Sequence, residues 1–304
     1  MKKLLFVASA LALTLTVACK KKTTDDGSGA SGALTVENVQ NTVIIYKTAT
    51  WCGPCGVNGG PAFKGTLDNP NVVGLDLHIN GSSALTNPYT PGGAKKDTAF
   101  IAPFSIELYL KNKPTGSIPE FNANNLNLSD ADGNGQWDNT PSSAQMITAA
   151  NTFKATAPVA GIAVKAAASG NNIKIDYKVK SFLANNDEYY ISLILCEKSV
   201  TAIQSGAPGG ITDHKNIVRA TAFGTAAMPT SLYSPSAVMV SPSAGKEVEG
   251  SQNFTWELPA LASRYSQFKR WDVFTPSNTM VAAILWKKVG TEYLIVNSSK
   301  CDVK

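Results

Sequence analysis

Histidine is almost missing from this chain: 304 residues contain only His78 and His214. Cysteine is sparse as well, five in all, and there is one Cys-x-x-Cys with no second copy. A zinc half-site at that motif therefore has no obvious complement, because structural zinc takes about four nitrogen or sulfur ligands. Charge is thin, at 16% of residues, with 27 Lys+Arg against 22 Asp+Glu and no concentrated basic stripe. That balance gives no support for nucleic-acid binding. Long apolar runs are missing too. The strongest, residues 4–17, falls short of the roughly 20 residues that span a bilayer as a permanent helix.

What is present at the N-terminus is an export signal. Met1-Lys2-Lys3 is a short basic region, the apolar run follows, and it ends in Thr16-Val17-Ala18-Cys19. This resembles a bacterial lipoprotein signal over residues 1–18, with Cys19 the lipidated residue after cleavage; Thr16 departs from the usual Leu. Residues 19–33, with Lys20-Lys21-Lys22 and a Gly/Ser run, read as a flexible tether. Such a tether reaches on the order of 20 Å. Lys20 in place of Asp favours an outer-membrane lipoprotein of the cell envelope.

The centre of the reading is Trp51-Cys52-Gly53-Pro54-Cys55, preceded by the β-branched run Val43-Ile44-Ile45-Tyr46. A cysteine pair at a strand-to-helix junction meets unpaired N–H groups that stabilise a thiolate. Pro54 suits the first helical turn. A purely structural disulfide across so short a loop would constrain the unfolded chain little. The motif resembles the thioredoxin active site. That resemblance implies Cys52 as nucleophile, Cys55 as resolving thiol, Trp51 flanking the groove and a cis-proline facing the sulfurs. Pro114 and Pro119 are the candidates, and the Pro114-Thr115 pair before a strand favours Pro114. Thioredoxins usually carry a buried Asp six residues before the first cysteine; here that position is Tyr46.

Residues 34–156 are expected to form an α/β thioredoxin-like domain. Its strands are predicted at 43–48, 71–78 and 116–122, with helices at 97–111 and 142–154. The stretch after Cys55 contains Gly56, Gly59, Gly60, Pro61 and Gly65. It predicts a short turn and then a break, since each helical glycine costs about 1 kcal/mol and proline kinks a helix. His78 is read as structural. Residues 157–304 are expected to form an all-β immunoglobulin-like sandwich. The clearest strand is 172–182, where Ile173, Ile175, Tyr177 and Val179 alternate with charged residues. Cys196 and Cys301 read as small buried apolar residues, with pairing in an oxidising compartment as the other reading. Redox chemistry is expected to need only the first domain.

A second pattern is Asp130-Ala131-Asp132-Gly133-Asn134-Gly135-Gln136-Trp137-Asp138. Asp130, Asp132, Asn134, Gln136 (through its carbonyl) and Asp138 match the first part of a calcium loop, with Gly135 at the sharp turn. Pro141 stands where the bidentate Glu belongs. The other reading is a polar turn leading into a helix.

The order of signal, Cys-x-x-Cys body, Pro-Thr element and strand-rich body resembles the Omp-twenty-eight-related outer-membrane lipoproteins of Bacteroidetes. Asp213-His214-Lys215-Asn216-Ile217-Val218-Arg219 loosely matches a segment of that family. The resemblance implies location and architecture more than activity. The expected function is an extracytoplasmic, membrane-anchored thiol–disulfide oxidoreductase. Its partners would be protein thiols or disulfides, and the redox step would need no cofactor. The alternative is a non-catalytic surface binding or adhesion protein using the first body as scaffold.

Overall fold

Runs rich in β-branched residues put about half of the described residues into strands. The computed structural model describes residues 33–79, 115–183, 187–223, 238–243, 245–256 and 274–304. The signal, Cys19, the tether, the helix expected at 97–111 and Pro114 lie outside the described residues.

The first strand, β1 (Thr42–Thr48), leads into a π-helical turn (Cys55–Gly59), α1 (Gly60–Lys64) and β2 (Val72–His78). Then come β3 (Glu120–Ala123), β4 (Leu126–Asn127) and α2 (Ser143–Lys154). Ser142 and Gln145 form a reciprocal capping box that starts α2 where the sequence predicts it. The remaining elements are β5 (Ala160–Ser169), β6 (Asn172–Ser181), β7 (Tyr189–Ile203), β8 (Ile211–Thr221), β9 (Val238–Met239), β10 (Glu247–Thr255), β11 (Thr279–Val289) and β12 (Glu292–Asp302).

The turn after Cys55 does not break as expected. Its backbone stays helical through Gly60, and Pro61 falls in the first turn of α1, where a missing N–H costs nothing. The wider π turn accommodates the proline by ending one hydrogen-bonding register and starting another.

Two sheets result. One is mixed and nine-stranded, in the order β12-β11-β7-β8-β2-β1-β3-β4 with β9 beside β7; the other is β10-β6-β5. The architecture is mostly β, with a sandwich-like arrangement. Ile162, Val164, Ile173, Ile175 and Val179 of the small sheet pack on Ile191, Leu193, Val281, Ala283 and Leu285 of the large one.

The separate bodies expected on either side of residue 156 are not separate sheets. Leu34–Lys304 is one compact unit, and β8 lies parallel to β2, with Asp76 opposite Ile217. One face of β1 and β2 (Val43, Ile45, Val73, Leu75, Leu77) packs on Ile194, Val218, Met280, Ile284 and Trp286. Asn125 and Ile295 bind each other reciprocally, fastening the β3–β4 turn to β12. The opposite face of β1 and β2 (Ile44, Tyr46, Val72) is covered by Phe63 of α1 and Met146 and Ala150 of α2.

Cys196 and Cys301 are both free. Cys196 on β7 pairs with Met280, and Cys301 on β12 with Val281, so β11 runs between them. They also belong to different apolar clusters.

Candidate redox site

The site is built where β1 ends. Cys52 N–H donates to Ala49 O at 3.1 Å, turning the chain, and Gly56 N–H donates to Cys52 O at 3.3 Å. Cys52 and Cys55 form a disulfide. Cys55 N–H points at Cys52 Sγ, 3.2 Å away. After reduction that donor stabilises a Cys52 thiolate. Cys52 is the more exposed residue of the two, though only 4% against 0% for Cys55.

Tyr46, occupying the position six before Cys52, ties the strand to the turn. Its hydroxyl donates to Cys55 O at 3.1 Å and accepts from Thr48 Oγ1 at 2.9 Å. Its ring stacks on Phe121 of β3, with centroids 4.7 Å apart.

Among the described residues the proline loop beside the sulfurs is that of Pro119, the second candidate; Pro114 lies outside them. The Ile118–Pro119 bond is cis, and Ile118 O lies 3.8 Å from Cys52 Sγ. Thr115 of the Pro-Thr pair has another task. Its N–H and hydroxyl donate to Glu120 Oε2 at 3.1 and 3.0 Å. Glu120 follows Pro119 directly, is fully buried, and accepts from Lys47 Nζ at 2.5 Å and Asn127 Nδ2 at 3.0 Å. Burial lowers the Lys47 pKa, against the raising pull of Glu120. Trp51 is half-buried against the apolar cluster of Tyr46, Phe63 and Phe121, on one flank of the motif.

Two contributors were not legible in the motif. Gln204, at the end of β7, donates from Nε2 to Ala49 O at 3.1 Å and to Cys52 O at 2.9 Å. Ser205 N–H donates to Thr50 O at 2.7 Å. The β7–β8 connection therefore clamps both sides of the Trp51-Cys52 turn. Gly56 is required by that clamp, since a Cβ there would sit 2.1 Å from Ser205 O. Gly59 is required by the proline loop, where a Cβ would meet Pro119 Cβ at 2.9 Å. The glycines that weaken the helix are the ones that let the two loops approach.

Residues 130–138 form a ring of turns beside this site. Asp130, Asp132 and Asp138 bring one carboxylate oxygen each to within 4.8 Å of one another. Asn134 instead donates from Nδ2 to Asp132 Oδ2 at 2.9 Å, and Gln136 contributes its N–H to Asn134 Oδ1 at 2.7 Å. Gly133 and Gly135 have φ of 73° and 83°, conformations that favour glycine. Trp137 Nε1 donates to Pro119 O at 2.8 Å, joining the acidic loop to the cis-proline loop.

No family model matches this chain, and no curated protein matches it. Among solved structures it is similar to HBP35 of Porphyromonas gingivalis, with TM-score 0.59 and 14% identity over 88% of this chain and 77% of that one. That likeness supports the shared fold. Beta-glucuronidase 2 of Bacteroides uniformis aligns over 46% of this chain and 12% of its own, at 12% identity and TM-score 0.24. CsgH of R. palustris aligns over 47% and 91%, at 12% identity and TM-score 0.20.

Proposed function

We propose that this chain is a membrane-anchored, extracytoplasmic thiol–disulfide oxidoreductase whose β1, β2, β3, α1 and α2 act as a thioredoxin-like unit. The observation that carries the reading is the Cys52–Cys55 disulfide at the start of a helical segment, with the cis-Pro119 loop against Cys52 Sγ. In the reducing direction, the Cys52 thiolate attacks a substrate disulfide. A mixed disulfide forms and one substrate thiolate leaves, taking up a proton. Cys55, deprotonated, then attacks Cys52 Sγ. The second substrate thiol departs, and two electrons have passed from the cysteine pair to the substrate. Anchoring would come from lipidated Cys19 in the outer membrane.

The test is reduction of insulin by the purified protein with dithiothreitol as electron source. Cys52→Ser is expected to fall to the uncatalysed background. Cys55→Ser is expected to accumulate a mixed disulfide through Cys52. Equal rates for wild type and Cys52→Ser would remove the proposal. The low exposure of Cys52 favours a second reading, a binding protein whose disulfide is structural. Its signature would be a reduction potential well below about −300 mV.

We also propose that the loop holding Asp130, Asp132 and Asp138 takes a calcium ion weakly, toward the range of about 10⁻⁴–10⁻³ M. Calorimetry is expected to show heat with wild type and none with Asp132→Ala. Absence of heat, together with an unchanged melting temperature in calcium, would leave the loop a hydrogen-bonded turn.

A further inference from the structure

The chain has only two histidines, 136 positions apart in sequence, and the fold brings both to one buried carboxylate. Asp76 and His78 alternate on the same face of β2, and His214 comes from β8 alongside. All three are buried, at 2%, 0% and 4% exposure. His78 Nε2 lies 3.4 Å from Asp76 Oδ1, and His214 Nδ1 lies 3.9 Å from Asp76 Oδ2. The two rings meet edge to face with centroids 5.0 Å apart. One ligand atom from each residue lies within 4.8 Å of those of the other two.

These separations decide the chemistry. A buried carboxylate is costly unless hydrogen-bonded or neutralised. Asp76 Oδ1 has no hydrogen-bond partner among the described residues. The two nitrogens are too far for good hydrogen bonds, which for N–H···O cluster near 2.9–3.0 Å. They suit donors that share a small cation. Metal bonds of about 2.0–2.1 Å in tetrahedral geometry place neighbouring ligand atoms roughly 3.3 Å apart.

His214 is oriented in keeping with this. Its Nε2 lies 3.4 Å from Ile203 O. If that nitrogen carries the proton, Nδ1 presents its lone pair toward Asp76, the arrangement that fixes metal-bound imidazoles. Lys64 and Arg219 are near enough to sense Asp76. Lys64 is instead bonded to Thr212 Oγ1 at 2.7 Å and Arg219 to Glu197 at 2.6 Å. A cavity of about 20 Å³, lined by Asp76, His214, Lys64, Thr212, Gln204 and Cys55 among others, adjoins the triad. It has room for one water as a fourth ligand.

We propose that Asp76, His78 and His214 bind a divalent transition-metal ion, zinc by donor type, with one coordination position open to that cavity. Two imidazoles and one carboxylate with an open fourth position are a zinc ligand set of the non-structural kind. The site is independent of the redox reading, since none of its ligands is a cysteine.

The experiment uses the full chain with its disulfide oxidised, stripped by chelator and titrated with Co²⁺. One cobalt per chain is expected, with the visible ligand-field absorption of a tetrahedral ion, and Zn²⁺ should abolish it. Asp76→Asn and His214→Gln should weaken binding by more than about 100-fold, beyond the loss from an outer-shell partner. Asp132→Ala should leave the absorption unchanged. His214→Cys should retain cobalt and add a sulfur-to-metal charge-transfer band. Folded wild-type protein that gives no such absorption would overturn the site. So would an absorption untouched by Asp76→Asn and His214→Gln, or a His214→Cys protein lacking the new band.

Discussion

The fragment comprising residues 34–156 is expected neither to unfold cooperatively nor to reduce insulin. It keeps both cysteines, Pro119 and α2, but loses the partners of one whole face of β1 and β2. Val43, Ile45, Val73, Leu75 and Leu77 pack on residues of β7, β8 and β11. Burying five such side chains contributes on the order of 10 kcal/mol. That rivals the whole stability of an ordinary domain, about 5–15 kcal/mol. The fragment also loses Gln204 and Ser205, whose three hydrogen bonds hold the Trp51-Cys52 turn. Denaturant titration followed by circular dichroism checks the first point and the insulin assay the second. A fragment that melts cooperatively and turns over at the full-length rate would show that the later strands are dispensable.

Glu120→Ala is expected to destabilise the protein by about 3–5 kcal/mol, the range for removing one partner of a buried ion pair. The variant leaves Lys47 buried in the strand beneath the redox turn, with its carboxylate gone. It also frees Thr115 and Asn127, both of which Glu120 holds against the end of the Pro119 loop. An apolar double variant, Lys47→Met with Glu120→Leu, should recover only part of the loss. It removes the buried charges but not the need of Thr115 and Asn127 for an acceptor. Chemical denaturation of the three proteins measures this. Full recovery in the double variant would reduce Glu120 to a counter-ion for Lys47. A loss under 1 kcal/mol in Glu120→Ala would mean that the pair does not hold the loop.

Local signals in the sequence were dependable where the physics is local. The alternation through Ile173, Ile175, Tyr177 and Val179 yields β6. The capping residues of α2 begin it where expected. What could not be read is pairing across long separations. The parallel contact of β2 with β8 leaves no pattern in either strand, so the two halves looked like separate bodies. Strand β7 runs to Ile203 and carries Gln204 to the redox turn across 152 positions of sequence. The cysteine motif was legible because its chemistry is contiguous. Its clamp, its cis-proline and the Lys47–Glu120 pair beneath it belong to tertiary structure. One hint was available: Asp76 and His78 are polar residues on alternate positions of an otherwise apolar strand, a sign of something held on that face.

The placement of Cys196 and Cys301 on either side of β11 has a practical consequence. Two strand spacings separate them by about 9–10 Å, beyond the roughly 7 Å Cα limit for a disulfide. Burial pushes the Cys196 thiol up and the Cys301 thiol to about 12. Neither presents an alkylating reagent with a usable thiolate near neutral pH. In the native protein such a reagent would therefore count no thiol among these four cysteines when the pair is oxidised, and one, Cys52, when it is reduced, since Cys55 is as buried as Cys196. A mass-tagging gel shift would report the oxidation state of Cys52 and Cys55 directly in intact cells, without any serine substitution to silence the background.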